Sequence, residues 1–133
     1  MKRSRRGAIA ALIAVPFARA SAADATLVAA ARRARDLRGE AVRRGDQPYG
    51  AVVVRDGRIV GEGLSAVVTR NDPDAHAERV ALADAAARLG PEGVKGAVLV
   101  GSSRACPRCT EAARHAGIAR LWHGETPVDD GAP

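Results

Sequence analysis

The sequence predicts an α/β sandwich around a mixed sheet of about four strands, and three observations carry that expectation. Ala51-Val52-Val53-Val54 and Ala97-Val98-Leu99-Val100 are continuous apolar runs rich in β-branched residues, as strands buried on both faces are. Asp56-Gly57 is a tight hairpin signal that folds one strand back on its predecessor. Alanine- and leucine-rich stretches with apolar residues at three- and four-residue steps separate the strands, so the predicted order is αββαβαβ.

The first 22 residues read apart from that domain. Lys2, Arg3, Arg5 and Arg6 precede an apolar run from Gly7 to Phe17, and Ala18-Arg19-Ala20 and Ala20-Ser21-Ala22 offer small-x-small cleavage sites after Ala20 or Ala22. That is the layout of a secretory signal peptide, and the run is too short to span a bilayer. Ser4-Arg5-Arg6 is similar to a twin-arginine export motif, so the expected location is periplasmic.

Leu27, Ala30, Ala31, Ala34, Leu37, Ala41 and Val42 make one apolar stripe of a helix over 26–44, ended by Gly45, and Gln47-Pro48 turns the chain. Residues 49–55 form a strand and 58–64 return beside it; Gly61 and Gly63 weaken the second strand and mark it as an edge. After a loop over 65–71, Asp72 is the expected N-cap of a helix reaching Leu89, with Pro73 in its first turn and Gly90-Pro91 as its stop. The strand at 97–100 leads through a loop at 102–105 to a helix over 107–116, and residues 118–122 form the last strand. The domain runs from 23 to 124, and 125–133 is an expected frayed polar tail.

The chain has 133 residues, a net charge of +6 and a sequence pI near 10.6. Five of its Lys and Arg residues fall in the first 22, which hold no Asp or Glu. The remaining 111 residues carry 16 basic and 15 acidic side chains, so the basic pI reports the leader and gives no nucleic-acid footprint. After cleavage nothing points to a membrane, and the expected partner is a small molecule. The arginines at 32, 33, 35, 43 and 44 read as a solvated helix face, and His115 and His123, without partners at ligand spacing, as surface residues.

The chemistry gathers in two stretches, Asn71-Asp72-Pro73-Asp74-Ala75-His76-Ala77-Glu78 and Cys106-Pro107-Arg108-Cys109. A histidine, a glutamate two residues on, and a downstream cysteine pair make the zinc deaminase pattern. His76, Cys106 and Cys109 supply three zinc ligands and leave a fourth position for water. Both stretches sit at predicted helix starts, where unpaired N–H groups favour thiolates and carboxylates. Cys106 and Cys109 are three apart and can face one point, while Glu78 can reach the water as a proton shuttle.

These residues resemble the cytidine deaminase-like superfamily, and most closely its nucleobase deaminases that act on guanine or on tRNA adenosine. Pro48-Tyr49-Gly50-Ala51-Val52-Val53-Val54 is similar to the family's Pro-Phe-Gly-Ala-Val strand, and residues 112–122 to its helix and fourth strand. The resemblance covers residues 27–124 and implies a three-layer α/β/α sandwich. It implies hydrolytic deamination of a small nucleobase or nucleoside, guanine first, with zinc hydroxide as nucleophile. Gly50, Ala51 and Ser103 would line the base pocket, and Ser65 stands where the family has a substrate-binding Asn. Arg104-Ala105 replaces the family's Glu-Pro before the first cysteine, and only nine residues follow Gly124, which implies a C-terminally shortened fold. A homodimer would cover the expected bare fourth strand and close the pocket.

Two other readings stand beside this one. An exported Cys-x-x-Cys pair is also similar to a dithiol oxidoreductase motif, and the zinc domain could be non-catalytic.

Overall fold

The computed structural model describes residues 21–133 together with Gly7 and Ala11, so nearly all of the expected leader lies outside the described residues. The elements are α1 (Ala22–Arg43), β1 (Gly50–Arg55), β2 (Arg58–Leu64), α2 (Ala77–Leu89), α3 (Pro91–Val94), β3 (Val98–Gly101), α4 (Pro107–Ala116), β4 (Arg120–His123) and β5 (Val128–Gly131). Helix α1 starts four residues before the predicted boundary because Ser21 and Asp24 form a reciprocal capping box. Among the described residues no helix is long and apolar enough to cross a membrane.

The sheet order is β2-β1-β3-β4-β5, with β3 and β4 parallel and the other pairs antiparallel. The β1 and β3 side chains alternate between two cores. Val52, Val54 and Val100 pack on α1 through Ala30, Ala31 and Leu37. Ala51, Val53 and Leu99 face the other way, onto Ala77, Ala81 and Ala85 of α2 and Ala113 of α4. The result is the expected three-layer sandwich. Val42, counted in the apolar stripe of α1, is instead 54% exposed.

Strand β2 is an edge, as its glycines suggested, but they also serve a packing role. A Cβ at Gly61 would lie 2.6 Å from the Ala81 carbonyl, and one at Gly63 would run into the Ala77 carbonyl. Missing side chains let α2 lie directly on β2, which fixes the helix end that bears His76 and Glu78.

Three expectations change. The sheet has five strands, because residues 125–133 are no frayed tail: they turn at Gly124 and pair antiparallel with β4. Both carboxylate oxygens of Asp129 lie 2.8 Å from Arg120 Nε and share its one N–H, so charge pairing holds a strand whose sequence lacks apolar alternation. The fourth strand is therefore not bare, which removes one of the two grounds for expecting a dimer. Helix α2 begins at Ala77 with His76 as N-cap, not at Asp72, whose carboxylate accepts the Asp74 N–H instead. A short helix, α3, fills the Gly90-Pro91 stop.

Candidate metal centre and cleft

The two motif stretches meet where α2 and α4 begin. Cys106 is the N-cap of α4, and its sulfur accepts the Cys109 N–H at 3.4 Å. Pro107 sits in the first turn, where its missing N–H costs nothing. Cys106 and Cys109 thus present both sulfurs across one helical turn, as the three-residue spacing predicts. His76 Nδ1 lies 3.7 Å from Cys106 Sγ and 3.4 Å from Cys109 Sγ.

The donor atoms of His76, Cys106 and Cys109 all fall within 4.8 Å of one another. Zn–S near 2.3 Å and Zn–N near 2.0 Å at a tetrahedral angle place N and S about 3.6 Å apart, the separation found here. Geometry and donor chemistry both fit Zn2+, the cofactor of this centre. Arg108, between the cysteines, forms an ion pair with Asp74, two residues before His76, and so links the two stretches.

Glu78 is 6% exposed, and its Oε1 lies beside Gly101 at the end of β3. Burial pushes its carboxyl above the usual range, against the lowering pull of its own backbone N–H, His76 and the Cys109 thiol. Burial likewise pushes the Cys109 thiol up, helped by the Glu78 charge and by Cys106. A thiol so placed ionises readily only beside a cation.

A cleft of about 410 Å3 opens above these groups, lined by Gln47, Tyr49, His76, Glu78, Ser103, Arg104 and Cys106. Of the residues expected to touch substrate, only Ser103 stands in it. Gly50 and Ala51 are buried in β1, Ala51 inside the α2-side core. Ser65 is fully buried, and its hydroxyl donates to Asp46 Oδ1 at 2.8 Å. These three residues lie behind the wall rather than on it, because β1 is a central strand with its faces covered by α1 and α2, and the preceding Gln47 and Tyr49 face the cleft instead.

Asp46 was not singled out by the sequence. It accepts from the N–H groups of Gln47, Val68 and Thr69 and from the Ser65 hydroxyl. Burial pushes its carboxyl up, but the hydrogen bonds from Thr69, Gln47 and Ser65 outweigh that and hold it well below the usual carboxylate range. His123 is also unlike its expectation: it is largely covered, and its Nδ1 is 2.7 Å from Asp130 Oδ2. A short polar run after a helix is the only sequence signal for Asp46; for Asp130 there was none, since β5 itself was missed.

Comparison with known proteins adds to this geometry. Residues 24–125 match the family model described as cytidine and deoxycytidylate deaminase zinc-binding region. Guanine deaminase of Bacillus subtilis is 43% identical over 79 residues, covering 59% of this chain and 51% of that protein. tRNA-specific adenosine deaminase of Haemophilus influenzae is 35% identical over 102 residues, 76% of this chain and 59% of that protein. The X-ray structure of the Bacillus subtilis guanine deaminase superposes with a TM-score of 0.65 at 38% identity, covering 70% of this chain and 60% of that one. The chain thus spans between half and two thirds the length of these relatives.

Proposed function

We propose that this chain, which belongs to the cytidine and deoxycytidylate deaminase zinc-binding family, hydrolytically deaminates a small nucleobase or nucleoside, with guanine the first candidate. The observation that carries the proposal is the convergence of His76 Nδ1, Cys106 Sγ and Cys109 Sγ beside the buried Glu78 carboxylate at the floor of one cleft. In this reading those three residues hold the zinc. When bound, the ion supplies a Lewis acid that makes a water molecule nucleophilic near neutral pH.

Glu78 is the proton carrier. Its carboxylate takes the proton of the attacking water and delivers it to the departing amino nitrogen. Burial raises the Glu78 carboxyl, which makes its ionised form a stronger proton acceptor than an exposed carboxylate. Gln47, Tyr49 and Ser103 offer an amide, a phenol and a hydroxyl to the edges of a planar ring. Guanine ranks first because the guanine deaminase alignment carries the higher identity of the two activities above.

The experiment combines metal analysis with ammonia release from guanine, cytosine, adenine and their nucleosides. The expected result is one zinc per chain and turnover that falls by ~10²–10⁴ in Glu78→Gln, the usual worth of general acid–base catalysis, with zinc retained. Zinc-free protein with a reversible Cys106–Cys109 disulfide would mean a dithiol oxidoreductase. Full zinc without turnover of any base would mean a non-catalytic domain.

Export through the twin-arginine-like leader is part of the same proposal, supported by the basic start and apolar run of the first 22 residues. N-terminal sequencing of the exported protein tests it, and an intact Met1 counts against it.

A further inference from the structure

We propose that Arg104 is a specificity-determining residue that recognises an oxyanion substituent on the substrate, and that Asp130 and His123 position it for that purpose. The proposal rests on the deaminase reading only for the identity of the reacting site. Its own grounds are the contacts around Arg104.

Arg104 lies two residues before Cys106, in the loop between β3 and α4, and lines the cleft. Of the residues lining it, Arg104 is the one that carries a permanent positive charge. Its guanidinium makes a single ion pair among the described residues, Nη2 to Asp130 Oδ1 at 3.3 Å. The other carboxylate oxygen, Oδ2, is 2.7 Å from His123 Nδ1. Asp130, the middle of this chain of contacts, is the most covered: its side chain is 12% exposed, against 22% for His123 and 74% for Arg104. His123 and Asp130 belong to the β4–β5 hairpin, and Arg104 borders both this cleft and the neighbouring groove that Asp130 lines.

A guanidinium has five N–H donors in a fixed fork. The ion pair with Asp130 engages one nitrogen and leaves most donors for an incoming group. Phosphate and carboxylate match that fork with two parallel charge-assisted bonds, which a neutral ring or ribose cannot provide. Arg108 offers a contrast within the same loop and helix start, because its ion pair joins it to Asp74 on the neighbouring stretch. A surface arginine serving solubility alone would need no carboxylate held beneath it by a histidine on another strand.

The test uses matched pairs: guanosine 5′-monophosphate against guanosine, and 5-carboxycytosine against cytosine. Equilibrium binding to the zinc-loaded protein is measured by calorimetry, and kcat/KM wherever a pair turns over. The expected result is at least about tenfold preference for one anionic member, the worth of one charge-assisted pair. The pair that shows it separates a phosphate from a ring carboxylate. Arg104→Ala should bring that ratio to about one, Arg104→Lys should restore part of it, and Asp130→Asn should lower it while zinc content stays at wild-type level. The Asp130→Asn effect should appear in KM rather than kcat, which separates positioning from general destabilisation. Wild-type ratios near one in both pairs, or a ratio unmoved by Arg104→Ala, overturn the proposal. Because binding is read directly, a protein that binds anionic ligands through Arg104 but deaminates nothing would refute the deaminase reading and leave this one standing.

Discussion

The floor and the rim of the cleft are built by different physics. On the floor, His76 and Cys106 are N-caps of α2 and α4, and Glu78 and Cys109 stand in the first turns that follow. Local helical geometry sets each pair, His76 with Glu78 and Cys106 with Cys109, while packing on the sheet brings the two helix starts together across 30 residues, with two glycines of β2 pressing α2 into place. On the rim, Gln47, Tyr49, Ser103 and Arg104 stand in loops or next to a strand end. Asp46 ties the Gln47 turn to residues 65–69, and Asp130 reaches Arg104 from β5. A floor whose two halves are each set by one helical turn and joined through packed secondary structure suits chemistry that stays the same across a family. A rim set by long-range contacts is where substrate choice can vary without disturbing the metal.

If the floor acts as one unit, its largest response comes from a lost donor. Cys109→Ala should lower zinc from about one ion per chain to under about a tenth, because two protein ligands do not make a closed zinc site. Metal analysis after gel filtration reads this directly. A Cys109→Ala protein that keeps stoichiometric zinc would break the comparison at its base.

The next largest effect tests whether β2 packing fixes the floor. A Cβ at Gly63 meets backbone of α2 at Ala77 and Ala81, neither of which can rotate away. Gly63→Ala should cost ~1–3 kcal/mol of stability, the range for overpacking, read from the urea midpoint. It should also weaken zinc retention against a chelator, since the displaced helix end carries His76. Gly96→Ala should destabilise too, through its positive φ of 82°, but without the zinc effect.

How much of this could be read from the chain follows the same division. The His76, Glu78, Cys106 and Cys109 cluster was legible because its spacing is enforced by helical turns that the sequence already signals with Pro107 and Gly117. The two-sided burial of β1 and β3 was legible from their unbroken apolar runs. Strand β5 was not, because Val128-Asp129-Asp130-Gly131 gains its place from the Arg120 and His123 pairs, which exist only once β4 is beside it. Ser65 misled for a related reason: a hydroxyl in a family substrate position is here taken by Asp46, a residue whose role depends on a contact 19 positions away. The start of α2 was placed early because Asp72 and Pro73 are good helix openers that the fold uses in a turn.

Asp46 gives a smaller, pH-dependent test of the rim. Its folded-state pKa lies below the unfolded value of about 3.9. A depressed carboxylate adds stability that is present in full above the unfolded pKa and is lost as pH falls through the folded one. The wild-type advantage over Asp46→Asn should therefore be constant from neutrality down to about pH 5 and shrink below about pH 4. Chemical denaturation at a series of pH values checks this; an advantage that grows toward acid would mean that another group is responsible. Zinc content should be the same in both proteins, because Asp46 touches rim segments and no donor of the floor.

The smallest effect belongs to the ion pair that joins the two motif stretches. Arg108 and Asp74 are 68% and 43% exposed, so solvent screens their attraction and the side chains lose freedom in making it. Arg108→Ala should cost about 0–1 kcal/mol at low ionic strength, and less at 1 M salt, where the screening length is about 3 Å. Urea midpoints at two salt concentrations measure the difference. The stretches it spans are already held by α2 on β2 and by the first turn of α4, so the rate of zinc loss to a chelator should stay within about threefold of wild type, as expected of an exposed pair. A rise beyond tenfold would show that the floor depends on this exposed side-chain pair as well as on packed helices, and the division between floor and rim would have to be redrawn with Arg108 and Asp74 on the side of the metal.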